Sequence, residues 1–119
     1  MTLNEIVEPE TKKYMIGRIW HGWTKPEHAD KYERLLKSEI LPGIAAKNIA
    51  GYKKIEVFRR EHADETEFVT IMWFDSIESI KNFVGDDYEV AHVPDTAQEV
   101  LERWDERSQH YEIRQKLVY

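Results

Sequence analysis

The alternation of side chains in two segments constrains the fold of this chain more than any other feature. Successive residues of a strand point to opposite faces of a sheet, so a strand with one face in water alternates apolar with polar residues. The segments Tyr14 to Trp23 and Thr66 to Phe74 are apolar on both parities. In the first, Ile16 and Trp20 share one parity, and Met15, Ile19 and Trp23 the other. In the second, Phe68, Met72 and Phe74 oppose Val69, Ile71 and Trp73. Helices of the same chain can cover only one face of such a sheet. Soluble monomers rarely expose apolar patches beyond roughly a few hundred Å², so something must cover the second face, and a two-fold copy of the same sheet is the simplest cover.

The rest of the chain supplies helices and two more strands. Thr24-Lys25-Pro26-Glu27 reads as a helix start, with Thr24 as cap, Pro26 in the first turn and Glu27 as the capping-box acid. Ala29, Tyr32, Leu35, Leu36 and Ile40 then fall three or four apart and form one apolar stripe. Pro42-Gly43 ends the regular pattern, with room for one more turn over Ile44 to Ala46. Gly51 opens a strand over Tyr52 to Arg60, and the polar link Glu61 to Glu65 joins it to Thr66 to Phe74 as a hairpin. Asp75 is the expected cap of a second helix, with Glu78 as its acid and Gly85 as its terminator. Thr96-Ala97-Gln98-Glu99 repeats the capping pattern before Val100, Leu101 and Trp104, and Ser108 to Val118 reads as a last strand. The order is a ferredoxin-like β-α-β-β-α-β, an α+β fold with a small extra helix before the last strand. With the second copy it forms a dimeric α+β barrel. Residues 14–119 make one domain, and residues 1–13 read as a flexible N-terminal arm.

Composition narrows the function. A chain of 119 residues is one domain's worth, since domains commonly run to about 100–150 residues. A formal charge of −6 argues against a nucleic-acid partner. No stretch approaches the roughly 20 apolar residues of a membrane helix, and the polar, acidic start resembles neither a signal nor a transit peptide. The expected location is cytoplasmic. Without cysteine there is no thiolate metal site and no cysteine nucleophile, and no histidine spacing suggests a metal centre.

With these elements placed, several segments resemble antibiotic-biosynthesis-monooxygenase domains. The stretch Arg18-Ile19-Trp20-His21-Gly22-Trp23-Thr24-Lys25-Pro26-Glu27 is similar to the start of such domains. So are Glu67 to Ser76 and the acidic Gly85-Asp86-Asp87-Tyr88-Glu89, and Glu106 to Arg114 is similar to their end. The likeness spans about Tyr14 to Arg114. It implies a dimeric barrel and a monooxygenase that works on a small aromatic, quinol or polyketide-like substrate without cofactor. A non-catalytic ligand-binding dimer is the alternative, and a haem-binding or haem-degrading protein a third. Haem-degrading relatives carry an iron-binding histidine at a place like that of His92, with a tryptophan earlier on the helix, where this chain has Asn82 and Phe83.

Three residues are candidates for chemistry. Arg18 lies in an otherwise apolar strand, and a buried guanidinium needs a partner: Glu56 or Glu112 as a structural ion pair, or an anionic ligand. His110 and His92 are the candidate bases. His110 shares a parity with Glu112 and Arg114, whereas Tyr111 shares one with Ile113 and Leu117 and is expected in the core. His21 lies on the parity opposite Arg18 and is expected to be a hydrogen-bonded, half-buried histidine. Trp20, Tyr32, Trp73, Phe74 and Phe83 are the aromatic residues expected to line a pocket for a flat substrate, although such residues more often serve simply as core.

Overall fold

The computed structural model describes residues 14–119, and the arm expected over residues 1–13 lies outside them. Five strands form one antiparallel sheet: β1 (Ile16–Thr24), β2 (Tyr52–Glu61), β3 (Thr66–Phe74), β4 (Arg103–Trp104) and β5 (Gln109–Glu112). The order is β2-β3-β1-β4, with β5 also on β1. Thus β4 and β5 are two pieces of one edge strand, interrupted over residues 105–108. Counting that edge once, the sheet is the four-stranded ferredoxin-like one.

The helices lie on one face. A 3-10 turn (Pro26–His28) leads into α1 (Ala29–Leu35), a π-helical turn (Leu36–Ile40) and α2 (Leu41–Ala45). The helix therefore continues through Pro42-Gly43, where the sequence pattern stops. A prolyl ring crowds the carbonyl four residues earlier, here that of Ser38, and the widened turn lies over that position. After the β2-β3 hairpin comes α3 (Ile77–Val84), and a short α4 (Asp95–Gln98) follows. Among the described residues no helix is long and apolar enough to cross a membrane.

Parity settles which side chains meet the helices. Ile16, Arg18 and Trp20 of β1 and Phe68, Met72 and Phe74 of β3 are buried on the inner face. They pack against Tyr32, Leu36, Ile40 and Ile80, with the Tyr32 ring edge-on to Phe68 at 4.9 Å. The outer face carries Ile19, Trp23, Val69, Ile71 and Trp73, all half-exposed. Phe58 of β2 and Tyr111 of β5 stand 50% and 56% exposed on that same face, so Tyr111 is not a core residue within one chain.

The capping signals were displaced rather than absent. Thr24 belongs to β1 and its hydroxyl caps nothing, because Lys25 precedes the first turn. Ser76, not Asp75, caps α3, accepting a hydrogen bond from Ser79 N at 3.1 Å. The third pattern yields only the four residues of α4, and Trp104 pairs with Gly22 instead of continuing a helix. The open edge of β1 claims that segment. The last strand ends at Glu112 rather than running to Val118, because β1 starts at Ile16 and offers only one further rung, Ile113 N to Met15 O at 2.9 Å.

Candidate functional site

Arg18 projects from the middle of β1 toward the helices and is 2% exposed. Neither expected carboxylate reaches it. Glu56 lies on the outer face and accepts from Trp73 Nε1 at 2.8 Å, while Glu112 lies opposite Ile16 and 3.5 Å from Arg114. The guanidinium is held by neutral acceptors instead. Its Nη1 donates to the Tyr88 carbonyl and its Nη2 to the Val90 carbonyl, each at 2.5 Å. Burial brings its pKa down to about 10, so it remains a cation at neutral pH. Among the described residues no carboxylate pairs with it, so the charge is balanced only by neutral acceptors.

His110 is the cross-strand neighbour of Arg18, with Nε2 3.0 Å from Arg18 Nη1. A guanidinium has only donors, so His110 Nε2 accepts and its proton sits on Nδ1. That Nδ1 is buried without a partner. Burial, and then the charge of Arg18, push the ring's pKa down to about 4. His110 is thus a neutral ring that helps to fix Arg18, its basic lone pair already engaged.

A small cavity opens between the sheet and the helices, walled by Arg18, Trp20, Tyr32, Thr70, Phe83 and His92 among others. Its volume of about 40 Å³ has room for about three water molecules. Phe83 lies under the guanidinium, 5.7 Å from Cζ to ring centre, and the His92 ring is 5.0 Å from that of Phe83. Burial, Lys47 and Arg18 all lower the pKa of His92, leaving it a neutral ring with an available lone pair at neutral pH.

Of the aromatic residues expected in the wall, Trp20, Tyr32 and Phe83 are there. Phe74 stands behind Phe83, ring centres 6.1 Å apart, and is fully buried core. Trp73 has the opposite parity and lies on the outer face, beside Lys54. His21 also faces outward, 2.7 Å from Glu67, whose other oxygen is 2.8 Å from His62. Sequence reasoning missed Thr70 and Ser108, which line the cavity. Thr70 was within reach, since it shares a parity with Phe68 and Met72.

No family model and no curated protein matches this chain. Solved structures do. A protein from Bacillus cereus described as a candidate antibiotic biosynthesis monooxygenase matches with a TM-score of 0.59 at 18% identity, over 89% of this chain and 99% of the other. A Streptomyces coelicolor monooxygenase solved with nanaomycin D matches with a TM-score of 0.55 at 14% identity, over 90% and 93% of the two chains. A dimeric ferredoxin-like protein from an uncultured marine organism gives 0.53 at 8%, over 91% and 94%. The chain has the ferredoxin-like α+β fold of antibiotic-biosynthesis-monooxygenase structures.

Proposed function

We propose that this chain is a cytoplasmic, cofactor-independent monooxygenase of the antibiotic-biosynthesis type. It acts on a small phenol or quinol whose oxygen enters the cavity beside Arg18, and it works as a homodimer joined through the outer sheet faces. The observation that carries this reading is the pairing, in one small cavity, of a cation that no carboxylate among the described residues pairs with and a neutral imidazole. Two neighbours of the same fold that are described as monooxygenases support it.

The chemistry needs little else. His92 removes a proton from the substrate, and Arg18 holds the resulting oxyanion. Exclusion of water raises the energy of that anion and its carbanion character at the reacting carbon. Dioxygen takes an electron from it, the radical pair combines at a ring C–H carbon, and His92 returns its proton to give a hydroperoxide. Loss of water, with the hydrogen of that carbon, leaves a carbonyl: a phenol and O₂ become a quinone and H₂O, so oxygen itself accepts all the electrons.

The test is oxygen uptake together with thermal stabilisation across a panel of hydroquinones and polyphenols, with chelator present throughout. Uptake that survives the chelator and falls at least tenfold in His92→Ala is the expected result. Stabilisation without uptake on every compound would leave a binding protein in place of an enzyme.

A further inference from the structure

The cavity holds more hydrogen-bonding capacity than the protein uses. Arg18 spends three N–H contacts on Tyr88, Val90 and His110, which leaves its Nε–H and one Nη2–H unspent among the described residues. Tyr32, Thr70 and Ser108 are 2%, 8% and 3% exposed, and their hydroxyls, which make no hydrogen bond among the described residues, are not sealed off from the space they line. Polar groups at such a site are nearly always satisfied, by water or by a ligand that replaces it. All three line the cavity, so the cavity is where a partner can sit. Together these groups ask for an occupant with two or more acceptor oxygens and a negative charge.

A second hollow adjoins the cavity and brings another cation near it. It has a volume of about 240 Å³, shares Ile40, Ile44, His92 and Pro94 with the inner cavity and opens past Lys47, with Glu39 also on its wall. Lys47 forms no ion pair among the described residues, and both it and Arg18 act electrostatically on the His92 ring between them. The chain's charge of −6 repels anions at long range, so a local cation at the mouth matters for an anion's approach. Size sets the other limit. The inner cavity is well below the roughly 150 Å³ that encloses a benzene ring, so it seats an oxyanion head while a ring body extends into the outer hollow.

The geometry points to a compact, single-ring organic anion as the ligand: drawn in past Lys47, seated by its oxygens on Arg18, Thr70, Ser108 and Tyr32, and refused if its ring system is fused. The inference rests on the reading that this cavity is the substrate site, and it narrows the substrate to one class within it.

The experiment is anaerobic calorimetric titration of the whole chain with benzoate, its neutral isostere benzamide, and anthracene-9-carboxylate. Benzoate binds at least tenfold more tightly than either of the others, and its affinity falls with added salt. Lys47→Gln, a surface change that leaves the melting temperature in place, weakens benzoate roughly fivefold and flattens the salt dependence. Thr70→Val weakens it by a similar factor. Equal binding of benzamide, tighter binding of the tricyclic acid, or no binding of benzoate would each overturn the inference. Because oxygen is absent, the two proposals fail separately. Benzoate binding beside an inert quinol panel removes the oxygenase and keeps the anion site. Quinol oxidation without benzoate binding does the reverse.

Discussion

Replacing Arg18 by leucine removes the donor that the part-buried Tyr88 and Val90 carbonyls use. The expected cost is about 3 kcal/mol in urea denaturation, with Arg18→Lys recovering only part, since one ammonium cannot span both carbonyls as the fork does. His110 makes a second prediction, in pH. Its ring titrates at about 4 when folded and near 6.5 when free. Between those values the unfolded chain binds more protons, so stability is fully present above pH 6.5 and drains away as pH falls toward 4. The lowered pKa of His92 adds in the same direction. Melting temperatures measured from pH 7.5 to 4 should fall, and His110→Gln should flatten part of that slope; a profile unchanged by the substitution would contradict the assignment of His110 as a buried neutral acceptor. At this scale the sequence exposed Arg18, a charge stranded among apolar neighbours. It did not expose the carbonyls that hold it, because residues 86–94 are irregular and carry no periodic pattern to read.

Turns between elements are specified by backbone conformation as much as by side-chain chemistry. Gly51 sits at φ +88°, in the left-handed region, where a Cβ would lie 1.9 Å from Ser79 Oγ and 2.3 Å from Asp75 Oδ1. That contact is part of the cap of α3, for Ser79 Oγ donates to Asp75 Oδ1 at 2.7 Å. Gly51→Ala should therefore cost about 2–4 kcal/mol through strain and a broken cap together, read by chemical denaturation. Ala at the exposed Gly43, which meets nothing within 4 Å, is the matched control and should be neutral or slightly stabilising. The sequence located Gly51 as a strand opener and Gly85 as a helix end, and β3 matched its expected bounds. Local signals failed where a long-range partner outbid them: the capping pattern at Thr96 is sound chemistry, yet the unpaired edge of β1 drew Arg103 and Trp104 into the sheet. Nothing in a short window reports an open edge elsewhere in the chain.

At the scale of the whole molecule, the two-faced apolar strands forecast both the layer of helices and the surface left without one. The outer face of β1 and β3 presents Ile19, Val69, Ile71 and Trp73 half-exposed, with Phe58 and Tyr111 more open still. A second copy packed there would bury this surface. Sedimentation at micromolar concentration should show a dimer, and Ile71→Glu, which places a charge at the centre of the face without touching the core, should give a folded monomer. The cavity was less legible than the fold, because its walls come from β1, β3, the first helical run and the segment after α3, and only the tertiary arrangement brings them together. That the cavity is the place of reaction can be tested by filling it. Ala97 lines it and is 1% exposed, so Ala97→Met inserts a flexible side chain into the void with little change elsewhere. Oxygen uptake on a hydroquinone should be strong in the unaltered protein and at least tenfold weaker in Ala97→Met at an unchanged melting temperature. Equal uptake by the two would place the chemistry elsewhere.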